Sequence, residues 1–122
     1  MSIVIAPGEL RWKVVLPANI ERVYELLTTD AGRELFWAEA SYRSRARIEL
    51  WFPDGTTSTL AILRECPPHS IALLYFGVPT TFDLSALHES CTLLEVHAHD
   101  VPPNDHVDVS AGWVSVLLCL KA

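Results

Sequence analysis

LRWKVVLPANIERVYELLTT, residues 10–29, changes its hydrophobic period part-way along, and the architecture follows from that change. Over its first seven residues it alternates. Trp12, Val14 and Leu16 point one way, Arg11 and Lys13 the other. Period two marks a strand with one face buried. Pro17 ends it, since proline has no N–H to give to a sheet ladder. Asn19 is a good N-cap, because its side-chain oxygen can accept a free amide of the first helical turn. Ile20, Val23, Tyr24 and Leu27 then recur at i, i+3, i+4 and i+7, one apolar stripe of a helix. Glu21, Arg22 and Glu25 fall on the other side. Thr28-Thr29-Asp30 stops this helix. Asp30 is expected to cap a second short helix, running through Glu34, that delivers Leu35, Phe36 and Trp37.

Downstream the period returns to two. Ala46, Ile48, Leu50 and Phe52 share one face, and Arg45, Arg47 and Glu49 the other. Pro53-Asp54-Gly55 is turn chemistry. The return strand sets Leu60 and Ile62 against Thr59, Ala61 and Leu63, until Pro67-Pro68 breaks it. IALLYF, residues 71–76, is continuously apolar; its short length and flanking prolines predict a strand buried on both faces. Phe82, Leu84 and Ala86 alternate with Asp83 and Ser85, and after a turn at Glu89-Ser90, Leu94, Val96 and Ala98 alternate with Glu95, His97 and His99. Beyond Pro102-Pro103, Asn104 or Asp105 can cap a final helix carrying Val109, Trp113, Val116, Leu117 and Leu120. The predicted class is α+β: an antiparallel sheet with two short helices after the first strand and one long terminal helix over its apolar face.

Composition narrows the function classes. The 122 residues suit one domain, 1–122. Half are hydrophobic and 20% are charged, unlike a disordered chain. The net charge of −6 repels phosphate backbones, so nucleic acid is not an expected partner. The three cysteines, Cys66, Cys91 and Cys119, have no metal-type spacing and suit buried free thiols in a reducing, cytoplasmic setting. The opening MSIVIAPGEL lacks the basic start of a signal peptide. No run of about 18 apolar residues is present, so no membrane span is expected.

Three features together resemble a known superfamily. The strand passes through Pro17 into the helix of VVLPANIERVYELLTT; the pair Phe36-Trp37 ends the second helix; and Gly112-Trp113 opens GWVSVLLCL, with LLEVHAHD (residues 93–100) as the preceding strand. The chain resembles the START-like, or SRPBCC, superfamily, and within it the branch named for the activator of heat-shock-protein-90 ATPase. That resemblance implies the helix-grip fold, also called birch-pollen-allergen-like, in which the sheet wraps around the C-terminal helix. It also implies an apolar cavity between the two. Members usually carry that helix further into a polar tail. A truncated form or a short divergent member is therefore expected here.

From the alternation and the resemblance, the expected ligand-binding residues are Phe36, Trp37, Ile48, Leu50, Ile62, Tyr75, Phe82, Leu84, Trp113 and Leu117. The expected ligand is a hydrophobic small molecule or lipid. The rival readings are a co-chaperone-like module that binds a protein, and a cyclase-like or hydrolase-like enzyme. An exposed edge strand or the helix end could also support a homodimer. Extending the alternation leaves Arg64 and His88 as the titratable groups of the inward face. This is a poor set for acid–base chemistry, so no catalytic residue is assigned and the reading leans against an enzyme. Glu95, His97 and His99 share a strand face, as metal ligands could, but that face is the solvent side; no metal and no cofactor are assigned. Arg43, Arg45 and Arg47 read as one basic row on a solvated outer face, and no glycine-rich phosphate loop occurs.

Overall fold

The computed structural model describes residues 2–6, 9–75 and 77–99, with residues 2–6 and 9 described by their backbone. The expected terminal helix, with Trp113 and Leu117, lies outside the described residues. Within them the order is β1 (Ser2–Ala6), β2 (Glu9–Leu16), α1 (Ile20–Thr28), α2 (Asp30–Phe36), β3 (Ala40–Ser44), β4 (Arg47–Trp51), β5 (Thr57–Cys66), β6 (Ser70–Tyr75), β7 (Val78–His88) and β8 (Cys91–Ala98). The strands form one sheet in the order β1-β2-β8-β7-β6-β5-β4-β3. Every neighbouring pair is antiparallel. The two helices carry the chain from β2, near one edge, to β3 at the other. This is the α+β layout read from the sequence.

Alternation placed most of the inner face correctly. Trp12, Val14, Leu16, Ile48, Leu50, Leu60, Phe82, Leu84, Leu94, Val96 and Ala98 are buried, and Ile62 and Phe52 pack against them half-buried. Helix α1 lies over this face on β7 and β8, burying the predicted stripe of Ile20, Val23, Tyr24 and Leu27. Asn19 caps it, its Oδ1 accepting the Arg22 amide at 2.8 Å. The Thr92 hydroxyl on β8 donates to the Ala18 carbonyl at 2.8 Å and ties the entry turn to the sheet.

Several expectations change. Residues 2–6 form an edge strand that the sequence reading passed over. Thr29, not Asp30, caps α2, its hydroxyl accepting the Gly32 amide at 3.0 Å. Leu35 is exposed, while Trp37 is buried. The stretch 45–52 is not one strand. Arg45 takes a left-handed φ of 57° and turns β3 into β4, leaving Ala46 exposed. Of the segment read as a strand over 71–76, the described residues 71–75 belong to β6; among them only Ile71 and Leu73 are fully buried, and Ala72 and Leu74 face the outer side half-buried.

Bulges correct the ends of the alternation. The register slips between Ile62 and Arg64, and again between Ala86 and His88. A one-residue slip exchanges the two faces of everything beyond it. Arg64 thus pairs with outward Ala72 and is exposed, and Glu65 takes the inward place opposite Ile71. His88 likewise pairs with Cys91 rather than continuing the inward row, and Ala86 is exposed.

Gly32 marks where α2 meets α1. A Cβ there would lie 2.6 Å from the Leu26 Cα and carbonyl oxygen, both backbone atoms that cannot step aside. Gly32→Ala would gain up to about 1 kcal/mol of helix propensity. The clash outweighs it. A net loss of about 1–3 kcal/mol is expected in a denaturant titration, and an unchanged or raised midpoint would contradict the close approach.

Candidate functional site

The expected ligand residues that fall within the described chain gather on the inner face of β4–β7 and at the end of α2. Trp37 is the centre of an aromatic group. Its ring meets Tyr75 edge-on at 5.5 Å, Phe82 at 6.1 Å and Phe36 in a stack at 6.0 Å. Ile48, Leu50 and Leu84 complete the floor on either side. Burial raises the Tyr75 phenol above its ordinary value, and the adjacent Trp37 indole partly opposes the rise. Inward-facing Ile62, Tyr75 and Val78 remain only half-buried, next to Ile71, Leu73 and Phe82, which are shut off from water. Trp113 and Leu117 lie outside the described residues.

A polar group that the alternation did not anticipate sits at the rim of this face, where α1 and α2 meet β3. Its hub is Arg33, whose side chain is fully buried. Nε donates to the Ser41 hydroxyl at 2.8 Å, Nη1 to the Leu27 carbonyl at 3.0 Å, and Nη2 to the Asp30 carboxylate at 2.7 Å. The Ser41 hydroxyl donates to the same Asp30 oxygen at 2.9 Å, and the Arg43 amide to its other oxygen at 3.2 Å. Desolvation would raise the Asp30 carboxyl. The hydrogen bonds from Arg33, the Arg43 backbone and Ser41 outweigh it and hold Asp30 below the usual carboxylate range. Burial lowers the Arg33 guanidinium, and the bond to Asp30 opposes that.

Next to this hub lies a second pair. Arg43 is opposite Ile48 on β3 and so belongs to the inner face. Its guanidinium holds Glu65 in a bidentate bridge, at 2.6 and 3.2 Å, with both side chains about one-third exposed. The hydrogen bond to Glu65 raises Arg43, and desolvation works against it. Tyr24 on α1 is near enough for the charges of both Glu65 and Arg43 to act on its phenol. The residue is 8% exposed, and its hydroxyl has no hydrogen-bond partner among the described residues. Burial raises its phenol, and the nearby Glu65 adds to the rise.

The basic row read from the sequence does not exist as one. Arg43 is turned inward, Arg45 sits in the turn, and Arg47 points outward opposite Ala61. Arg47, Thr59, Ala61 and Leu74 line an open depression of about 470 Å³ on the outer face. Glu95, His97 and His99 do lie on that outer side, half-buried between buried neighbours. Lys13 stands opposite Glu95 in register. The two imidazole rings are 3.8 Å apart, with Arg11 Nη2 3.4 Å from His97 Nδ1 and the Thr81 hydroxyl 3.2 Å from His99 Nε2. Among the described residues no three His, Cys, Asp or Glu side chains gather as a metal site. Cys66 is exposed and Cys91 half-buried, against the expectation of buried thiols.

With this geometry in view, solved structures give the fold its context. The chain superposes on the Aha1 homologue from Colwellia psychrerythraea, solved as a dimer, with a TM-score of 0.80 at 17% identity over 93% of this chain and 92% of that one. Protein SSP2350 from Staphylococcus saprophyticus matches with a TM-score of 0.80 at 22% identity, over 93% and 88%. DynU16, from the dynemicin biosynthetic locus, matches with 0.78 at 18% identity, over 93% of this chain and 46% of that one. The branch anticipated from the sequence is therefore among the structures that share this fold. No protein-family model matches the chain, and no curated protein does. No helix among the described residues is long and apolar enough to cross a membrane.

Two outcomes check the rim. Asp30→Asn leaves the buried Arg33 without its anion. A fully buried pair broken this way costs about 3–5 kcal/mol; Asp30 is partly in water, so about 1–3 kcal/mol is expected. The folded carboxyl titrates below the unfolded one, so its contribution is present above about pH 4 and fades as pH falls through the folded value. The stability gap between wild type and Asp30→Asn should narrow in acid; a gap constant with pH would refute the assignment. Tyr24→Phe removes a hydroxyl that has lost water without gaining a partner among the described residues, so stability should hold or rise by up to about 1 kcal/mol. A clear loss would show that the hydroxyl is bonded.

Proposed function

We propose that this protein binds a hydrophobic small molecule or lipid on the inner face of its sheet. The observation that carries the reading is the incomplete closure of that face at Ile62, Tyr75 and Val78. These side chains point the same way as fully buried Ile71, Leu73 and Phe82, yet keep part of their surface open. Apolar surface left accessible beside a sealed core is where an apolar ligand gains most from leaving water. The aromatic group around Trp37 forms one wall. In the resembling superfamily the second wall is the terminal helix, and Trp113 and Leu117 would supply it here. No carboxylate or imidazole stands among the apolar floor residues, which favours binding over chemistry.

A protein partner is the second reading, favoured by Tyr42 and Trp51. Both are large aromatics on the outer side of the β3 edge, 61% and 43% exposed. The Colwellia neighbour is a dimer, and a second copy of this chain is one partner that such an edge could take.

Titration of the full chain with the uncharged fluorophore N-phenyl-1-naphthylamine tests the first reading. Saturable binding by the native protein is expected. Ile62→Trp, which fills the open part of the face, should weaken it by at least about tenfold, equivalent to about 1.4 kcal/mol, with the unfolding midpoint maintained. Absence of saturable binding, or equal affinity in the variant, would remove the inner face as a ligand site.

A further inference from the structure

We propose that Tyr24, Arg43 and Glu65 recognise the uncharged hydroxyl head of an amphiphilic ligand whose hydrocarbon part lies along Ile62 and Tyr75. The proposal deepens the inner-face reading and rests on it. Its first support is position. Arg43 and Glu65 occupy inward places on β3 and β5, opposite Ile48 and Ile71, so they border the apolar floor rather than the outer surface. Glu65 is there only because the bulge after Ile62 reverses the faces. The pair is about one-third exposed, as a group at a mouth would be.

The second support is unfilled hydrogen-bonding capacity. A phenol held this deep normally has a partner, and each exception calls for an explanation. The Tyr24 hydroxyl has none among the described residues. Arg43 uses Nε on the Arg45 carbonyl and one hydrogen from each terminal nitrogen on Glu65. Among the described residues, two of its five N–H donors are left over.

Charge decides the class of head group. The Arg43–Glu65 bridge is neutral overall, and it offers donors and acceptors side by side. A carboxylate head would bring a second negative charge against Glu65, and an ammonium would face Arg43. A hydroxyl donates one hydrogen bond and accepts others without adding charge. It can therefore bond to the carboxylate, the guanidinium and the phenol together.

Displacement of N-phenyl-1-naphthylamine by 1-dodecanol and by dodecanoate, on the full chain, tests the assignment. Wild type should prefer the alcohol by about tenfold, the value of one well-made hydrogen bond plus the avoided repulsion. Glu65→Gln removes the repelling charge and should shift the preference toward dodecanoate by at least about tenfold. Tyr24→Phe, the variant expected to fold at least as well as wild type, should weaken dodecanol by about five- to tenfold and leave dodecanoate nearly unchanged. Equal affinity for both amphiphiles that neither variant alters would overturn the head-group site while leaving the apolar site standing. If wild type binds neither amphiphile nor the fluorophore, the inner-face reading and this proposal fall together.

Discussion

Arg33 holds the two ends of the architecture together. A guanidinium taken fully out of water is tolerable only with its charge answered and its donors satisfied. Here Asp30 answers the charge, and Ser41 and the Leu27 carbonyl take up donors. Those three partners belong to α2, to β3 and to α1. One side chain thus ties both helices of the crossover to the far edge of the sheet. Gly32 serves the same junction from the backbone side, because any larger residue would push α2 away from Leu26.

The sheet obeys a single constraint, alternation, and its departures from that constraint matter most. Where the period is unbroken, most inward residues are apolar, with Ser58, Thr80 and Thr92 as uncharged exceptions, giving a floor with little chemistry in it. Two one-residue slips end the regularity at the same end of the sheet. The slip in β5 expels Arg64 and admits Glu65. Among the described residues the charged side chains of the inner face thereby gather at its rim, while its middle holds only uncharged polar groups such as Thr80. An inner face divided into an apolar floor and a neutral polar rim matches an amphiphile better than a pure hydrocarbon, and better than a reacting substrate that needs a tuned acid or base.

The similarity to the Colwellia Aha1 homologue and to the other solved structures extends over nearly the whole chain, at identities where fold persists and function does not follow. The protein's own residues must therefore carry the functional argument. On the inner side they are Trp37, Tyr75 and Ile62 with the Tyr24–Arg43–Glu65 rim. On the outer side they are Tyr42 and Trp51, which keep a protein partner in contention.

By itself the sequence determined the α+β class with two helices after a strand that ends at Leu16, the stripe of α1 and its Asn19 cap, and most apolar members of the inner face between Trp12 and Ala98. Each of these is a local property, written in spacing over a few residues, which period and capping rules can read. It was misleading for Arg43, Arg45 and Arg47, whose even spacing conceals a turn at Arg45, and for Arg64 and His88, where a bulge shifts the count by one. A turn signal in YRSRAR (residues 42–47) would have separated β3 from β4, but no glycine or proline marks it. Only the tertiary structure decided that Arg33 is a buried hub and that Arg43 pairs with Glu65 within electrostatic reach of Tyr24. Those residues are far apart in the chain, and their meeting depends on strand order, on register slips and on the angle at which α1 and α2 cross the sheet. These are set by packing among distant segments, which no local pattern records.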